Sequence, residues 1–364
     1  MTLPPSTHTD DLRERLRRQL AGNFTIMREL GGGGSARVFL ATERSLGRTV
    51  VLKVLPTELA SGIDAERFRR EILIAARLQH PHLVPLLAAG SPEEDAGAGE
   101  RPLRWFSMPF VEGQTLREHL EMHAPLPLPE TTRLLRALAS ALAYAHGRGV
   151  MHRDIKPENI LLSDGVAMIA DFGVARALDD ASGAALRTGR RLTSVSSTLG
   201  TPAYMAPEQI TGALDVDHRA DLYALGCVAY EMLTGAPPLA RGSLRATMAA
   251  QVNDQPVRVG QLRPDVPAAL DALIMRCLQK EAAQRPSSGM AIVEVLDVLA
   301  GGVGSGARPA LPAMPASAQP SAASLARLHE EQPSAHRGHG PLLLAIALLA
   351  LAIAVLWGAG VSIR

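Results

Sequence analysis

The stretch VMHRDIKPENILL (150–162) sets His152, Arg153, Asp154, Lys156 and Asn159 between strongly apolar flanks. So dense a polar cluster is costly inside a core, and a loop opening on a cleft is its simplest placement. Asp171 follows beyond another short apolar run, in AMIADFGVAR. The set offers a carboxylate able to sit beside an acceptor hydroxyl, oxygen donors of the kind Mg²⁺ prefers, and a cation to steady an anionic group in flight. Phosphoryl transfer asks for little more, because positioning and charge neutralisation supply most of its catalysis.

A second group lies nearer the N-terminus. FTIMRELGGGGSARVFLA (24–41) reads as a strand, a glycine cluster, and a second strand through Val38, Phe39 and Leu40. A dinucleotide-binding turn would lead into a helix, and a Walker-type loop would end in Gly-Lys-Ser/Thr; neither is present. A hairpin tip bare of side chains suits a flap whose backbone N–H groups close over phosphates. Lys53 interrupts the apolar strand TVVLKVL (49–55). It is either an edge lysine in solvent or a lysine with a partner, since few are buried alone. The partner candidate is Glu71, in ERFRREILIAARLQHP (66–81), where Phe68, Ile72 and Leu78 have helical spacing.

The elements around these groups divide the 364 residues into four regions. Residues 1–22 form an amphipathic extension in which Leu12, Leu16 and Leu20 recur four apart among charges. Such a helix either packs on the neighbouring domain or lies on a membrane surface. Residues 23–300 are globular, strand-like first and helix-like later. Residues 301–340, rich in Gly, Ala, Pro and Ser, read as a flexible linker spanning roughly 35 Å as a coil. Residues 341–363 (PLLLAIALLALAIAVLWGAGVSI) carry no charge. As a helix about 34 Å long they match a bilayer's hydrocarbon thickness, with Trp357 placed for the interface; a buried core helix is the alternative. Only Arg364 follows, so no external sensor domain is expected. The N-terminal stretch lacks the apolar core of a signal peptide, which points to a chain that begins in the cytoplasm. The 37 Lys+Arg against 36 Asp+Glu give a net charge of +1 and no sign of nucleic-acid binding, and two cysteines suggest a reducing compartment.

From Phe24 to Leu299 the chain resembles the eukaryotic-type (Hanks-type) serine/threonine protein kinase family, most closely its bacterial membrane-anchored branch. HRDIKPEN, DFG and APE occur in the family's order. The resemblance implies an α+β, bilobal kinase fold, with a small β-rich N-lobe and a larger helical C-lobe, plus a C-terminal transmembrane helix. It implies ATP and Mg²⁺ as cofactors, with Mn²⁺ as an alternative metal. Leu30, Gly31, Gly33 and Val38 resemble the nucleotide flap, with Val38 against adenine. Lys53 resembles the lysine on the α- and β-phosphates, paired with Glu71. Met108 resembles the gatekeeper and Pro109 to Val111 the hinge, whose backbone would meet adenine. Asp154 resembles the base, Lys156 the cation on the transferred phosphate, and Asn159 and Asp171 the metal ligands. Thr201 resembles the threonine bridging Asp154 and Lys156, and with Lys156 it belongs to the Ser/Thr pattern. Phe172 belongs to a regulatory column with His152, Glu208 resembles the partner of Arg285, and Asp221 resembles the buried carboxylate beneath the catalytic loop.

Arg153 before Asp154 implies control by phosphorylation of the activation segment, with Thr193, Ser194 and Ser196 as acceptors alongside Ser197 and Thr198. A homodimer would serve autophosphorylation. The implied partners are protein substrates with Ser/Thr acceptors and membrane lipid around the C-terminal helix, and the implied location is the cytoplasmic membrane, single-pass, with the kinase domain in the cytoplasm. Two positions depart from the pattern. Ala36 replaces the third glycine of the flap, and Ala75, four after Glu71, is small where relatives are larger, which would loosen the helix carrying Glu71. The rival reading is an ATP-binding pseudokinase scaffold. It predicts loss of at least one of Lys53, Asp154, Asn159 and Asp171, and all four are present.

Overall fold

The computed structural model describes residues 7–33, 36–55, 65–90, 103–172 and 202–302. Its N-terminal part is an antiparallel sheet of β1 (Phe24–Gly33), β2 (Ala36–Glu43), β3 (Arg48–Val54), β4 (Ala88–Ala89) and β5 (Trp105–Pro109), in the spatial order β1-β2-β3-β5-β4. Strand alternation gives this sheet two different faces. From β3, Val50, Leu52 and Val54 point one way and are fully buried, while Val51 and Lys53 point the other.

The first face is covered by α1 (Thr7–Gln19). Leu16 and the following Leu20 join Phe24, Ile26, Phe39, Val50, Leu52 and Trp105 in one apolar cluster, with Phe24 edge-on to Trp105 at 5.2 Å. The spacing that marked an amphipathic helix therefore serves packing on this sheet. The helix begins at Thr7, ahead of the charged run read from sequence. Glu71 lies on α2 (Ala65–Ala75), which stops short of Leu78; a turn in which Leu78 N–H bonds Ala75 O follows, and Leu78 is buried without being helical.

A linker through Phe110–Gly113 leads to a small sheet, β6 (Gln114–Thr115), β7 (Ile160–Ser163) and β8 (Val166–Ile169), and to a helical lobe. Gly113 has φ +145°, and a Cβ there would sit 2.0 Å from Leu162 O, so the crossing between the lobes has room only for glycine. α3 (Leu116–His123) starts with a capping box: Thr115 Oγ1 accepts from Glu118 N, and Glu118 Oε2 accepts from Thr115 N. α4 (Leu128–His146) buries Leu134, Leu135, Leu138 and Leu142 against the lobe's centre.

That centre is α6 (Arg219–Thr234), which follows the short α5 (Pro207–Ile210) and is buried at every residue from Ala220 to Leu233. A helix buried on every side, its Asp221 and Glu231 included, lies inside the lobe, and this one ends on Gly235 in the left-handed conformation. Around it stand α7 (Leu244–Asn253), α8 (Val259–Leu262), α9 (Ala268–Cys277) and α10 (Gly289–Gly302). Cys227 and Cys277 are both buried and unbridged, and burial pushes both thiols up, that of Cys277 to about 12. Among the described residues no helix is long and apolar enough to cross a membrane; the run 341–363 and the linker before it lie outside them.

Because Leu16 is fully buried between α1 and the sheet, Leu16→Ala should lower the unfolding free energy by about 2–4 kcal/mol, read by urea titration. A loss inside the roughly 0.5 kcal/mol typical of surface changes would mean that α1 is not part of the N-terminal core.

Candidate active site

The second face of the sheet looks onto a cleft. Val38, Val51, Val84, Met108 and Val111 from the N-terminal side form one apolar cluster with Leu161, Met168 and Ala170 from the β7–β8 side. Register explains the grouping: Val38 pairs with Lys53 across β2–β3, and Val51 with Met108 across β3–β5. Two slabs of apolar side chains facing each other are suited to a flat ring. Val111 follows the end of β5, and neither its N–H nor its C=O is bonded to the described backbone. Pro109 ends β5 opposite Val50, a strand end being a place where a missing N–H is tolerated. Leu30 and Gly31 stand near the tip of β1, Gly31 opposite Val38 and Gly33 opposite Ala36.

Lys53 reaches across the cleft, its Nζ donating to Asp171 Oδ2 at 2.8 Å over a sequence separation of 118. Burial resists ionisation of Asp171, but the Lys53 ammonium, helped by His152 and Lys156, overrides it and holds the carboxyl below the usual range. Asp171 also has a left-handed backbone, φ 66°, and its second oxygen, Oδ1, is buried with no hydrogen-bond partner among the described residues. Glu71, on α2, is half-buried.

Asp154 and its neighbours form a second knot. Lys156 Nζ donates to Asp154 Oδ2 at 2.7 Å; Asn159 Nδ2 donates to the same oxygen at 3.0 Å and to Asp154 O at 2.8 Å. Asn159 sits in the 3-10 turn Pro157–Asn159, and its carbonyl accepts from Ala170 N, which ties the loop to the residue before Asp171. A free carboxylate oxygen on Asp171 and an amide on Asn159 make an all-oxygen, two-residue donor set. That fits Mg²⁺, which keeps waters and takes substrate phosphates as its remaining ligands.

Beneath both knots lies Asp221 on α6, 1% exposed. It accepts from His152 N at 2.8 Å, from Arg153 N at 2.7 Å and from His146 Nε2 at 2.8 Å. Burial again opposes the charged form; the His146 hydrogen bond and charge outweigh it and hold this carboxyl low as well. Arg153 is the other non-glycine residue of the site in left-handed backbone, φ 69°. His152 Nε2 donates to Ala170 O and its ring meets Phe172 edge-on at 4.7 Å, while Ala75 is buried. Glu208 on α5 takes both arms of the fully buried Arg285 guanidinium at 2.6 and 2.7 Å. Arg117 on α3 joins Glu158 of the 3-10 turn to Glu231 of α6.

The structure thus gathers Lys53, Asp154, Lys156, Asn159 and Asp171 into one cleft. Thr201 and the acceptors Thr193, Ser194 and Ser196 lie outside the described residues. Sequence reasoning did not single out Val51, Val84, Leu161, Ala170 or His146. Val51 was within reach, because alternation puts it on the face of Lys53; Leu161 and Ala170 each lie within two residues of a singled-out position. His146 was visible only as a polar end to an apolar helix.

Residues 24–296 match the family model described as protein kinase domain. The DNA damage-responsive serine/threonine-protein kinase RqkA of Deinococcus radiodurans is 40% identical over 278 residues, covering 76% of this chain and 39% of that protein. The probable serine/threonine-protein kinase PknB of Bifidobacterium longum is 34% identical over 287 residues, 78% of this chain and 40% of its own length. The chain therefore spans less than half the length of these two relatives. The crystal structure of the Mycobacterium tuberculosis PknI kinase domain superposes with a TM-score of 0.56 at 32% identity, covering 76% of this chain and 96% of that one.

Asp171 and Asp221 ionise more readily folded than unfolded. Their contribution to stability is complete above the unfolded carboxylate range, near about pH 4, and is lost as pH falls through their lower folded values. Asp221→Asn should therefore carry a stability deficit that shrinks with acidification, in urea titrations stepped from about pH 6 to about pH 3. A deficit that stays constant over that window would remove charge from the role of Asp221.

Proposed function

The chain belongs to the protein kinase family, and from that membership we propose that it transfers the γ-phosphate of ATP to serine or threonine hydroxyls of proteins. The observation that carries this reading is the convergence of two charge knots, Lys53 with Asp171 and Lys156 with Asp154, at the mouth of an apolar slot. Adenine would lie between Val38 and Val51 above and Leu161 below, against the backbone of Val111. Lys53 would bind the α- and β-phosphates with Glu71 orienting it, and Asp171 and Asn159 would hold Mg²⁺, which supplies neutralisation of phosphate charge when bound.

Asp154 then orients the acceptor hydroxyl and takes its proton as the new O–P bond forms and the bond to the ADP oxygen breaks. Lys156, on the same Asp154 oxygen, is placed to meet the charge of the moving phosphoryl group. Lys156 two residues past Asp154, and Thr201 as its expected bridge, support Ser/Thr rather than Tyr acceptors. Arg153 supports control by phosphorylation of the activation segment, since its Nε has no hydrogen-bond partner among the described residues and a phosphate on Thr193, Ser194 or Ser196 would supply one. A second copy of the chain would be the agent of that autophosphorylation.

Radiolabelled ATP with a generic protein substrate tests the reading. Asp154→Asn should retain the fold and lower transfer by about 10²–10⁴-fold. Phosphopeptides from residues 193–198 should appear in the parent and vanish in the variant. A folded parent that labels nothing would leave a nucleotide-binding scaffold instead.

The charge-free run 341–363 supports a single transmembrane span, reached through the linker 301–340, with the kinase domain (23–300) on the cytoplasmic side where ATP is found. The full chain should sediment with membranes and resist carbonate extraction, and a chain ending at residue 340 should be released. Equal partitioning of the two would assign 341–363 some other role.

A further inference from the structure

A cavity of about 520 Å³ opens where the end of α4 meets the loop after α2, the start of α6 and the start of α10. Its walls include His80, Ser140, Tyr144, His146, His218 and Met290, and of these only His146 has a part in the site described above. Close approach of two helices builds one side. A Cβ on Gly289 would lie 2.3 Å from Ala139 O, so only glycine lets α10 begin this near α4, and Met290 is thereby set at the rim.

The ring side chains come in two tilted pairs. His80 and Tyr144 have centroids 5.2 Å apart at 39°, and His146 and His218 are 5.2 Å apart at 57°. Each ring already has a partner that fixes it. Tyr144 Oη accepts from Gln79 N at 3.0 Å, with the Arg148 guanidinium 3.6 Å over the ring. His80 Nε2 meets Ser140 Oγ at 3.3 Å, His218 Nε2 donates to Ser287 O at 2.9 Å, and His146 Nε2 donates to Asp221. Rings fixed before a ligand arrives cost little ordering on binding, and the volume lies within the range of small-molecule sites.

The lining also selects by charge. It contains no Lys, Arg, Asp or Glu, and burial together with neighbouring His82 pushes the His80 imidazolium down towards its neutral form. His146 Nδ1, buried and without a hydrogen-bond partner among the described residues, and the Ser288 hydroxyl, which accepts from Ala291 N and keeps its own proton to give, supply hydrogen bonds at the edge. One wall leads directly to the catalytic loop, since His146 and His152 N share a single oxygen, Asp221 Oδ2.

We propose that this cavity binds a flat, uncharged ring compound with hydrogen-bonding groups on its edge, and that occupancy is transmitted to the catalytic loop through His146 and Asp221. The test uses the full-length protein with ¹³C-labelled histidine and benzimidazole as the probe, at a pH where the probe is neutral. The ring signals of His146 and His218 should shift saturably, and benzoate, similar in size but anionic, should need at least about tenfold higher concentration. Ser140→Phe, which projects a ring into the cavity, and Met290→Trp, which narrows its rim, should each raise the probe concentration at half-saturation by at least about tenfold. Absence of a saturable shift, or an unchanged half-saturation in whichever variant folds, overturns the site. At saturation the His152 signal should move as well, and kcat should change by about twofold or more with KM for ATP unchanged. A bound probe that leaves both untouched overturns the transmission. The binding arm reads no phosphate transfer, so it stands or falls separately from the proposed activity.

Discussion

A buried carboxylate fixes the geometry of the cleft. Asp221 sits on a helix with no solvent-facing side and accepts two consecutive backbone N–H groups, those of His152 and Arg153. Arg153 adopts a left-handed backbone that costs about 1–3 kcal/mol when nothing holds it. Two charge-assisted hydrogen bonds from below are the restraint that makes this conformation the stable one. Asp154, next along the chain, inherits its direction from that restraint, and Lys156 and Asn159 inherit theirs from Asp154. An ionised group in the lobe's apolar centre thus positions residues that never touch it.

The other half of the cleft depends on strand alternation. Because β3 sends alternate residues to opposite faces, one short segment supplies both the packing against α1 and the lysine that reaches Asp171. The two demands cannot be separated: a shift of β3 by one residue would place Lys53 beneath α1 and Leu52 over the cleft. The seal made by Leu16, Leu20, Phe24 and Trp105 on the far face is therefore also what fixes the register of the lysine.

Much of this was legible in the residues. Lys53, Asp154, Lys156, Asn159 and Asp171 were singled out because polar groups placed in apolar surroundings stand out from their neighbours, whereas Glu208, Asp221 and Arg285 came from the resemblance to the kinase family. The apolar half of the slot was harder. Val51, Leu161 and Ala170 look like any core residue until strand register brings them opposite one another. Partnerships across long separations were hidden for a different reason. Arg117 with Glu231 spans 114 positions, and His146 with Asp221 spans 75, so neither leaves a local pattern. Leu78 shows the limit of spacing as a guide, since its burial continues the helical pattern of Phe68 and Ile72 after α2 has stopped.

The two cysteines give the chain an experimental property of its own. Thiol reagents attack the thiolate, and both thiols are closed off from solvent and held far from ionising. The folded protein should therefore be silent toward maleimides without any prior cysteine removal. A single cysteine placed on the surface of either lobe would be the sole target for a dye or spin label, and a doubly placed pair would report the distance between lobes on an otherwise native sequence.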